Sequence, residues 1–210
     1  MRKTVSGLYA ITPGLADSSL LFSKVAAALR GGARVVQYRN KSASGRLQHE
    51  QAAGIARLCR EAGACFIVND VIELARDVAA DGVHLGEHDE DVAAARARLG
   101  PGKLIGVSCY NRLGRARDAV TQGADYVAFG SFFDSPTKPG TATATPNLLR
   151  AAKEFSRPIV AIGGITPDNA AGLIEAGADA LAVVSAVFDA PDVEIAARRL
   201  AGLFVEHSEF

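Results

Sequence analysis

The chain alternates short apolar runs with longer stretches in which apolar residues recur at helical spacing. Eight of the short runs are nearly continuously apolar and rich in β-branched or aromatic residues. Such runs are typical of parallel strands that are covered on both faces. They lie at residues 7–12, 34–38, 65–69, 82–85, 104–108, 126–129, 158–162 and 180–184.

The stretches between these runs predict helices, because their apolar residues return every three or four positions. The predicted helices cover residues 17–29, 46–62, 71–78, 91–99, 112–122, 146–155, 167–176 and 193–205. Four strands follow a recurring glycine joint, with Gly32, Gly63, Gly123 and Gly177 just before the apolar run. Glycine at such a position ends a helix in the left-handed conformation, so the joint indicates repeated helix-to-strand units.

Eight βα units in 210 residues predict an α/β fold of the (β/α)8 TIM-barrel class, with residues 1–210 as one domain. An open, doubly wound sheet is the alternative. The sequence has neither the Gly-x-Gly-x-x-Gly nor the Gly-x4-Gly-Lys-Ser/Thr pattern of nucleotide-binding open sheets.

The composition limits the kinds of molecule that we expect the protein to bind. Lys+Arg and Asp+Glu both number 23, so the net charge is zero and no overall field attracts nucleic acid or an anionic membrane. No apolar run approaches the ~20 residues of a membrane span. The three cysteines form no Cys-x-x-Cys pair, which favours reduced thiols and a cytoplasmic location. We therefore expect small-molecule substrates, and the helix faces are compatible with a homo-oligomer.

Polar residues concentrate just after the predicted strands. Chemistry in a TIM barrel gathers at the carboxyl ends of the strands, so these side chains are expected to share one rim. The candidates from the first six strands are Gln37, Arg39, Lys41, Asn69, Asp70, Asp89, Ser108 and Lys138.

Two acids on this rim suggest a metal. Asp70 and Asp89 follow neighbouring strands, and Mg²⁺ typically takes one or two carboxylates together with water and phosphate oxygens. The alternative is that Asp89 caps the next helix and Asp70 makes a turn hydrogen bond. His84 and His88 are expected to be rim or structural residues rather than ligands.

A glycine pair after the seventh strand suggests a phosphate pocket. The backbone at Gly163 and Gly164 can approach an anion closely, and Val184 and Ser185 would supply the other half of the pocket. An ordinary tight turn is the alternative. The following Thr166-Pro167 pair predicts a helix N-cap and first position.

Three cations, Arg39, Lys41 and Lys138, would line the same mouth, although each alone could be a solvated surface charge. The residues by themselves thus indicate a barrel enzyme that acts on phosphate esters or diphosphates. A Schiff-base aldolase fits less well, because no strand interior carries a lone lysine.

An ordered set of short motifs resembles the thiamine phosphate synthase family, also called thiamine-phosphate pyrophosphorylase. The resemblance runs from about Leu8 to Ser185. Its motifs are Gln37-x-Arg39-x-Lys41, Asn69-Asp70, Gly82-x-His84-x-Gly86-x-x-Asp89, Gly106-Val107-Ser108, Ser135-x-Thr137-Lys138 and Gly163-Gly164-Ile165.

The resemblance implies a transferase that joins 4-amino-2-methyl-5-hydroxymethylpyrimidine diphosphate to a thiazole phosphate and releases pyrophosphate. It implies Mg²⁺ at Asp70 and Asp89, and Ser108 at the reacting centre. The implied pyrimidine diphosphate ligands are Gln37, Arg39, Lys41, Asn69 and Lys138. The implied thiazole phosphate ligands are Ser135, Thr137, Gly164, Val184 and Ser185.

Three departures and two rival functions accompany this expectation. Glu87-His88 stands where the family often has Gln and a variable residue, and Asp134 and Pro136 vary the loop after strand six. The rivals are a thiazole tautomerase of the same fold and a non-catalytic phosphate-binding barrel. The complete set of acids and cations favours the transferase over both.

Overall fold

The observed order of elements follows the predicted alternation. A computed structural model of the chain describes residues 3–134 and 143–206. The strands are β1 Gly7–Ile11, β2 Val35–Tyr38, β3 Cys65–Asn69, β4 Gly82–Leu85, β5 Leu104–Tyr110, β6 Tyr126–Phe129, β7 Ile159–Ile162 and β8 Ala180–Val183. All pair in parallel with their sequence neighbours, and β1 pairs with β8, so the sheet closes into a barrel and the open-sheet alternative is wrong.

Helices cover the outside of the barrel. They are α1 Ser18–Arg30, α2 Gly45–Glu61, α3 Ile72–Asp77, α4 Val92–Leu99, α5 Leu113–Thr121, α6 Pro146–Ala152, α7 Ala171–Glu175, α8 Ser185–Phe188 and α9 Val193–Glu206. Three of the longer helices, α1, α2 and α4, have capped N-termini, because the side chains of Asp17, Ser44 and Asp91 accept hydrogen bonds from backbone N–H groups in the first turn. Within the described residues, no helix is both long and apolar enough to cross a membrane.

The barrel has two apolar layers. The larger core lies between the strands and the surrounding helices, and contains fully buried residues such as Leu21, Ile55 and Phe129. The smaller core fills the barrel interior, where Tyr9 and Tyr126 are the largest side chains. A packed interior leaves the strand ends as the place where polar groups can meet a ligand.

The predicted glycine joints are confirmed. Gly32, Gly63, Gly123 and Gly177 all have positive φ, between 69° and 108°, at the end of the helix before a strand. A Cβ would strain the backbone in this region. The sequence pattern therefore identifies the points at which the chain returns to the barrel.

One predicted helix starts at a different residue, and one helix was not predicted. α7 begins at Ala171, so Thr166 is not its N-cap and Pro167 is not its first residue. Instead, the Asn169 side chain accepts from the Thr166 N–H and donates to the Gly164 carbonyl, which holds residues 164–169 in a turn. The four-residue helix α8 is too short to show a periodic pattern, and the sequence did not indicate it.

Candidate active site

The mouth of the barrel is the end at which the strands finish, and it brings several predicted residues together. Gln37 lies within β2, Asn69 ends β3 and Ser108 lies within β5. The Gln37 Nε2 group donates to Asn69 Oδ1 over 2.7 Å. Gln37 is buried, so its side chain is held inside the barrel, where its amide group is hydrogen-bonded to Asn69.

A cation and two carboxylates meet beside Asn69. Lys41 Nζ lies 3.0 Å from Asp70 Oδ2, and the Asp70 carboxyl is close enough to that of Asp89 for the two to interact. Partial burial raises the pKa of the Asp70 carboxyl, Lys41 offsets part of this rise, and Asp89 adds to it. Two acids this close repel one another when both are ionised, so the pair favours a bound cation or a shared proton.

Asp89 does not have the alternative role considered from the sequence. The side chain that caps α4 is that of Asp91, which accepts from the Ala94 N–H. Asp89 Oδ2 instead accepts from the Gly86 N–H at 2.6 Å. The β4–α4 loop therefore folds back on itself and presents the Asp89 carboxyl toward Asp70.

Buried neighbours fix the loop that carries Arg39 and Lys41. The Arg39 N–H donates to Thr12 Oγ1 at 2.9 Å, and Thr12 is itself buried at the end of β1. The buried Asn40 donates through Nδ2 to the Leu15 carbonyl and to Gln51 Oε1. Sequence reasoning assigned no role to Thr12, Asn40 or Gln51, yet these residues aim the exposed Arg39 and Lys41 side chains.

A chain of hydrogen bonds crosses the barrel interior. Ser108 Oγ lies 2.9 Å from His84 Nε2, and His84 Nδ1 lies 3.1 Å from the Tyr126 hydroxyl. The hydroxyls of Tyr126 and Tyr9 are 2.9 Å apart, and Tyr9 donates to Gln37 Oε1 at 3.1 Å. His84 is thus a buried structural residue, as expected. No pattern in the sequence indicates that Tyr9 and Tyr126 belong to the site.

Burial also sets the charge of this chain. Desolvation lowers the pKa of His84 from 6.5 to about 4, with a small opposing effect from Asp89, so the imidazole is neutral at physiological pH. Burial raises the pKa of Tyr9 and of Tyr126 well above the ordinary range. The interior chain therefore connects neutral groups.

Arg115 on α5 clamps two loops of the mouth. Its guanidinium donates to the Ser108 carbonyl at 2.8 Å and to the Gly86 carbonyl at 2.9 Å. These two bonds fix the backbone of the strand that carries Ser108 and of the loop that carries Asp89. Sequence analysis did not select Arg115, because a helix arginine looks like any surface charge until its register is known.

The glycine pair after β7 packs against the β6 loop. Gly163 and Gly164 have φ values of 107° and 61°, and an added Cβ at Gly164 would collide with the carbonyl groups of Phe133 and Asp134. The Phe133 N–H donates to the Gly163 carbonyl at 3.1 Å. The turn therefore requires glycine for its conformation and for the closeness of the neighbouring chain.

The remaining predicted ligands lie around this turn. Val184 is exposed just after β8, and Ser185 begins α8, next to the end of β7. Ser135, Thr137 and Lys138, together with Pro136, lie outside the described residues.

Glu87, a departure from the usual family pattern, has a partner on the next loop. Its carboxylate lies 2.7 Å from the Arg112 guanidinium, which sits over the Tyr110 ring. This ion pair lowers the pKa of Glu87 and links the β4 and β5 loops at the rim. His88 is exposed beside it.

Fold and site together define a class of protein. A closed eight-stranded α/β barrel presents Arg39, Lys41, paired carboxylates and a glycine turn at the carboxyl ends of its strands. These are the features of a barrel enzyme that handles phosphorylated small molecules.

Comparison with known proteins identifies the family. Residues 8–187 match the family model described as thiamine monophosphate synthase. The thiamine-phosphate synthase of Thiobacillus denitrificans is 53% identical over 210 residues, covering 100% of both chains. That of Methylobacillus flagellatus is 54% identical over 200 residues, covering 95% of this chain and 96% of the other.

A solved structure gives the same result. Thiamine phosphate pyrophosphorylase from Pyrococcus furiosus superposes with a TM-score of 0.85 at 37% identity, covering 95% of this chain and 96% of that one. The chain belongs to the thiamine monophosphate synthase family, and it is an enzyme of the transferase class.

Proposed function

We propose that the enzyme joins 4-amino-2-methyl-5-hydroxymethylpyrimidine diphosphate to a thiazole phosphate, with or without the thiazole carboxylate, and releases thiamine phosphate and pyrophosphate. The observation that carries the proposal is the meeting of Lys41, Asp70 and Asp89 at the mouth, beside Asn69 and Gln37. A diphosphate fits this arrangement, because Mg²⁺ bound by one or two carboxylates commonly also binds phosphate oxygens, and cations can bind the remaining charge. We further propose the cytoplasm as its location, since all three cysteines are free and buried.

The carboxylate pair fits Mg²⁺. Within the described residues there is no cluster of three His, Cys, Asp or Glu side chains, so Asp70 and Asp89 would supply two oxygen ligands, with substrate and water as the rest. The raised pKa of Asp70 also fits, because a cation between two crowded carboxyls relieves their repulsion. When bound, Mg²⁺ would neutralise charge on the diphosphate oxygens.

The chain's own cations would act on the leaving group. The bond that breaks joins the pyrimidine methylene carbon to a diphosphate oxygen, and the electron pair leaves with pyrophosphate. Arg39 and Lys41 would stabilise the charge that develops on this oxygen, and we expect Lys138 to do the same. Thr12 and Asn40 would keep the Arg39–Lys41 loop oriented throughout.

The thiazole half needs only to be positioned. Its ring nitrogen has a lone pair and attacks the methylene carbon without a general base. The Gly163–Gly164 turn, with Val184 and Ser185, would hold the thiazole phosphate, and Ser135 and Thr137 are the further ligands we propose. Holding both halves in one mouth converts a random encounter into an oriented one.

A reaction assay tests the proposal. Purified enzyme is mixed with both phosphorylated halves and Mg²⁺, and thiamine phosphate and pyrophosphate are quantified. We expect equimolar products, no product when either half is omitted, and loss of activity in EDTA that Mg²⁺ restores. Isomerised thiazole without pyrophosphate would favour a tautomerase, and full activity in EDTA would remove Asp70 and Asp89 from the metal role.

Substitution at the mouth tests the cation role. Arg39→Ala should lower turnover by roughly 10²–10³, the usual loss for one charge-stabilising donor. Arg57→Ala is the matched control, because Arg57 is exposed near the other end of α2, away from the mouth. Turnover of Arg39→Ala within twofold of the control would show that Arg39 does not serve the leaving group.

A further inference from the structure

The interior hydrogen-bond chain can run in only one of two directions. Each tyrosine hydroxyl has a single proton, so a hydroxyl between two partners donates to one and accepts from the other. If one bond of the chain is fixed, all the others follow. The chain links Ser108, His84, Tyr126, Tyr9, Gln37 and Asn69.

The direction is set at the Gln37 end. Gln37 Nε2 donates to Asn69 Oδ1, so Gln37 Oε1 faces Tyr9 and must accept a hydrogen bond from the Tyr9 hydroxyl. Tyr9 can then only accept from Tyr126, and Tyr126 can only accept from His84 Nδ1.

We infer that His84 and Tyr126 are positioning residues that fix the Ser108 hydroxyl as a hydrogen-bond acceptor toward the substrate. In this arrangement His84 carries its proton on Nδ1, so the unprotonated Nε2 accepts a hydrogen bond from the Ser108 hydroxyl over 2.9 Å. Ser108 Oγ then offers only lone pairs to the mouth. Because His84 is buried and neutral, its ring has only the one proton on Nδ1, and Nε2 has none to donate to Ser108.

This acceptor matches one group of the proposed substrate. The inference rests at this step on the proposed function. The pyrimidine ring has one hydrogen-bond donor, its amino group, so that group is the one Ser108 would accept from. As pyrophosphate leaves, positive charge spreads onto this amino group and its N–H becomes a stronger donor. The hydrogen bond to Ser108 is therefore stronger in the transition state than in the ground state, which accelerates the reaction.

The Tyr126 ring is closely packed on both sides in the barrel interior. Gly106 lies on β5, against that ring, and an added Cβ would overlap it. The Tyr126 and His84 rings stack with centroids 5.6 Å apart. Removing only the hydroxyl of Tyr126 therefore leaves its ring in place, which makes Tyr126→Phe a selective variant.

The direct test is the tautomer of His84 in the whole, substrate-free enzyme. Long-range ¹H–¹⁵N correlation spectra of histidine-labelled protein at neutral pH identify which ring nitrogen carries the proton, with His84→Gln used for assignment. We expect the proton on Nδ1 and none on Nε2. A proton on Nε2 would reverse the chain and overturn the inference. This measurement needs no substrate, so it is decided even if the reaction assay fails.

A pair of tyrosine variants tests the functional consequence. In Tyr126→Phe, the His84 Nδ1–H loses its acceptor, so we expect a mixed tautomer and a kcat lowered roughly fivefold to tenfold, the equivalent of one hydrogen bond. Tyr38→Phe is the matched control, since its buried hydroxyl donates to Gln51 Oε1 outside the chain. The control should keep the wild-type His84 tautomer. An unchanged tautomer and unchanged kcat in Tyr126→Phe would exclude Tyr126 as a positioning residue.

Discussion

The buried His84 allows a quantitative prediction of how the free energy of unfolding falls at low pH. Desolvation lowers its pKa in the folded state from 6.5 to about 4, whereas the unfolded chain exposes it to water. Between these two pH values the unfolded state binds a proton that the folded state does not, so the free energy of unfolding must fall as the pH falls through this window. At about 1.4 kcal/mol per pH unit, the loss attributable to His84 is roughly 3 kcal/mol.

Urea unfolding, followed by far-UV circular dichroism at about pH 7.5 and about pH 4.5, measures this loss. Wild type and His84→Gln are compared, because glutamine can hydrogen-bond but does not titrate. We expect wild type to lose roughly 2–3 kcal/mol more than the variant between the two pH values. His49→Gln, at an exposed position of α2, is the matched control and should keep the wild-type pH dependence. Equal losses of free energy in wild type and His84→Gln would show that His84 does not cause the pH dependence.

Three further substitutions test the surroundings of the site. Gly106→Ala should destabilise the fold by roughly 1–3 kcal/mol in urea unfolding, because its Cβ would overlap the Tyr126 ring; an unchanged midpoint would show that the interior can rearrange. Arg115→Gln should cost roughly 1–3 kcal/mol and raise KM for the pyrimidine diphosphate, since two carbonyl groups lose their donor. The control Arg117→Gln removes an exposed ion pair with Glu154 and an exposed contact with the Phe155 ring, so it should change stability by less than about 1 kcal/mol. Asn40→Ala should raise KM for the same substrate with little effect on the thiazole KM, and equal effects on both would argue against a role in orienting the Arg39 loop.

The strand pattern carried most of the information about the fold. The runs at residues 65–69, 82–85 and 126–129 coincide with β3, β4 and β6, because a strand buried on both faces must be apolar at nearly every position. The glycine joints were equally informative, since their positive φ restricts the choice of residue. By contrast, α7 starts later than predicted, because the Asn169 side chain bonds the Thr166 N–H and the Gly164 carbonyl and so holds residues 164–169 in a turn.

The sequence predicted only those residues of the site that lie at the ends of strands. Arg39, Lys41, Asp70 and Asp89 interrupt the apolar pattern there, so the sequence alone selected them. Tyr9 and Tyr126 lie inside apolar runs and look like core residues. Their hydroxyls become visible as part of the site only when the barrel register shows that both point into the interior.

We propose that the mouth of the barrel binds one diphosphate and one metal ion together. The most direct measurement is a crystal structure of the enzyme with pyrophosphate and Mg²⁺. We predict the metal ion between Asp70 and Asp89, with pyrophosphate oxygens bound to it and to Arg39 and Lys41. Pyrophosphate bound elsewhere on the molecule, or a metal ion held without either carboxylate, would show that the mouth is not the joint site for diphosphate and metal.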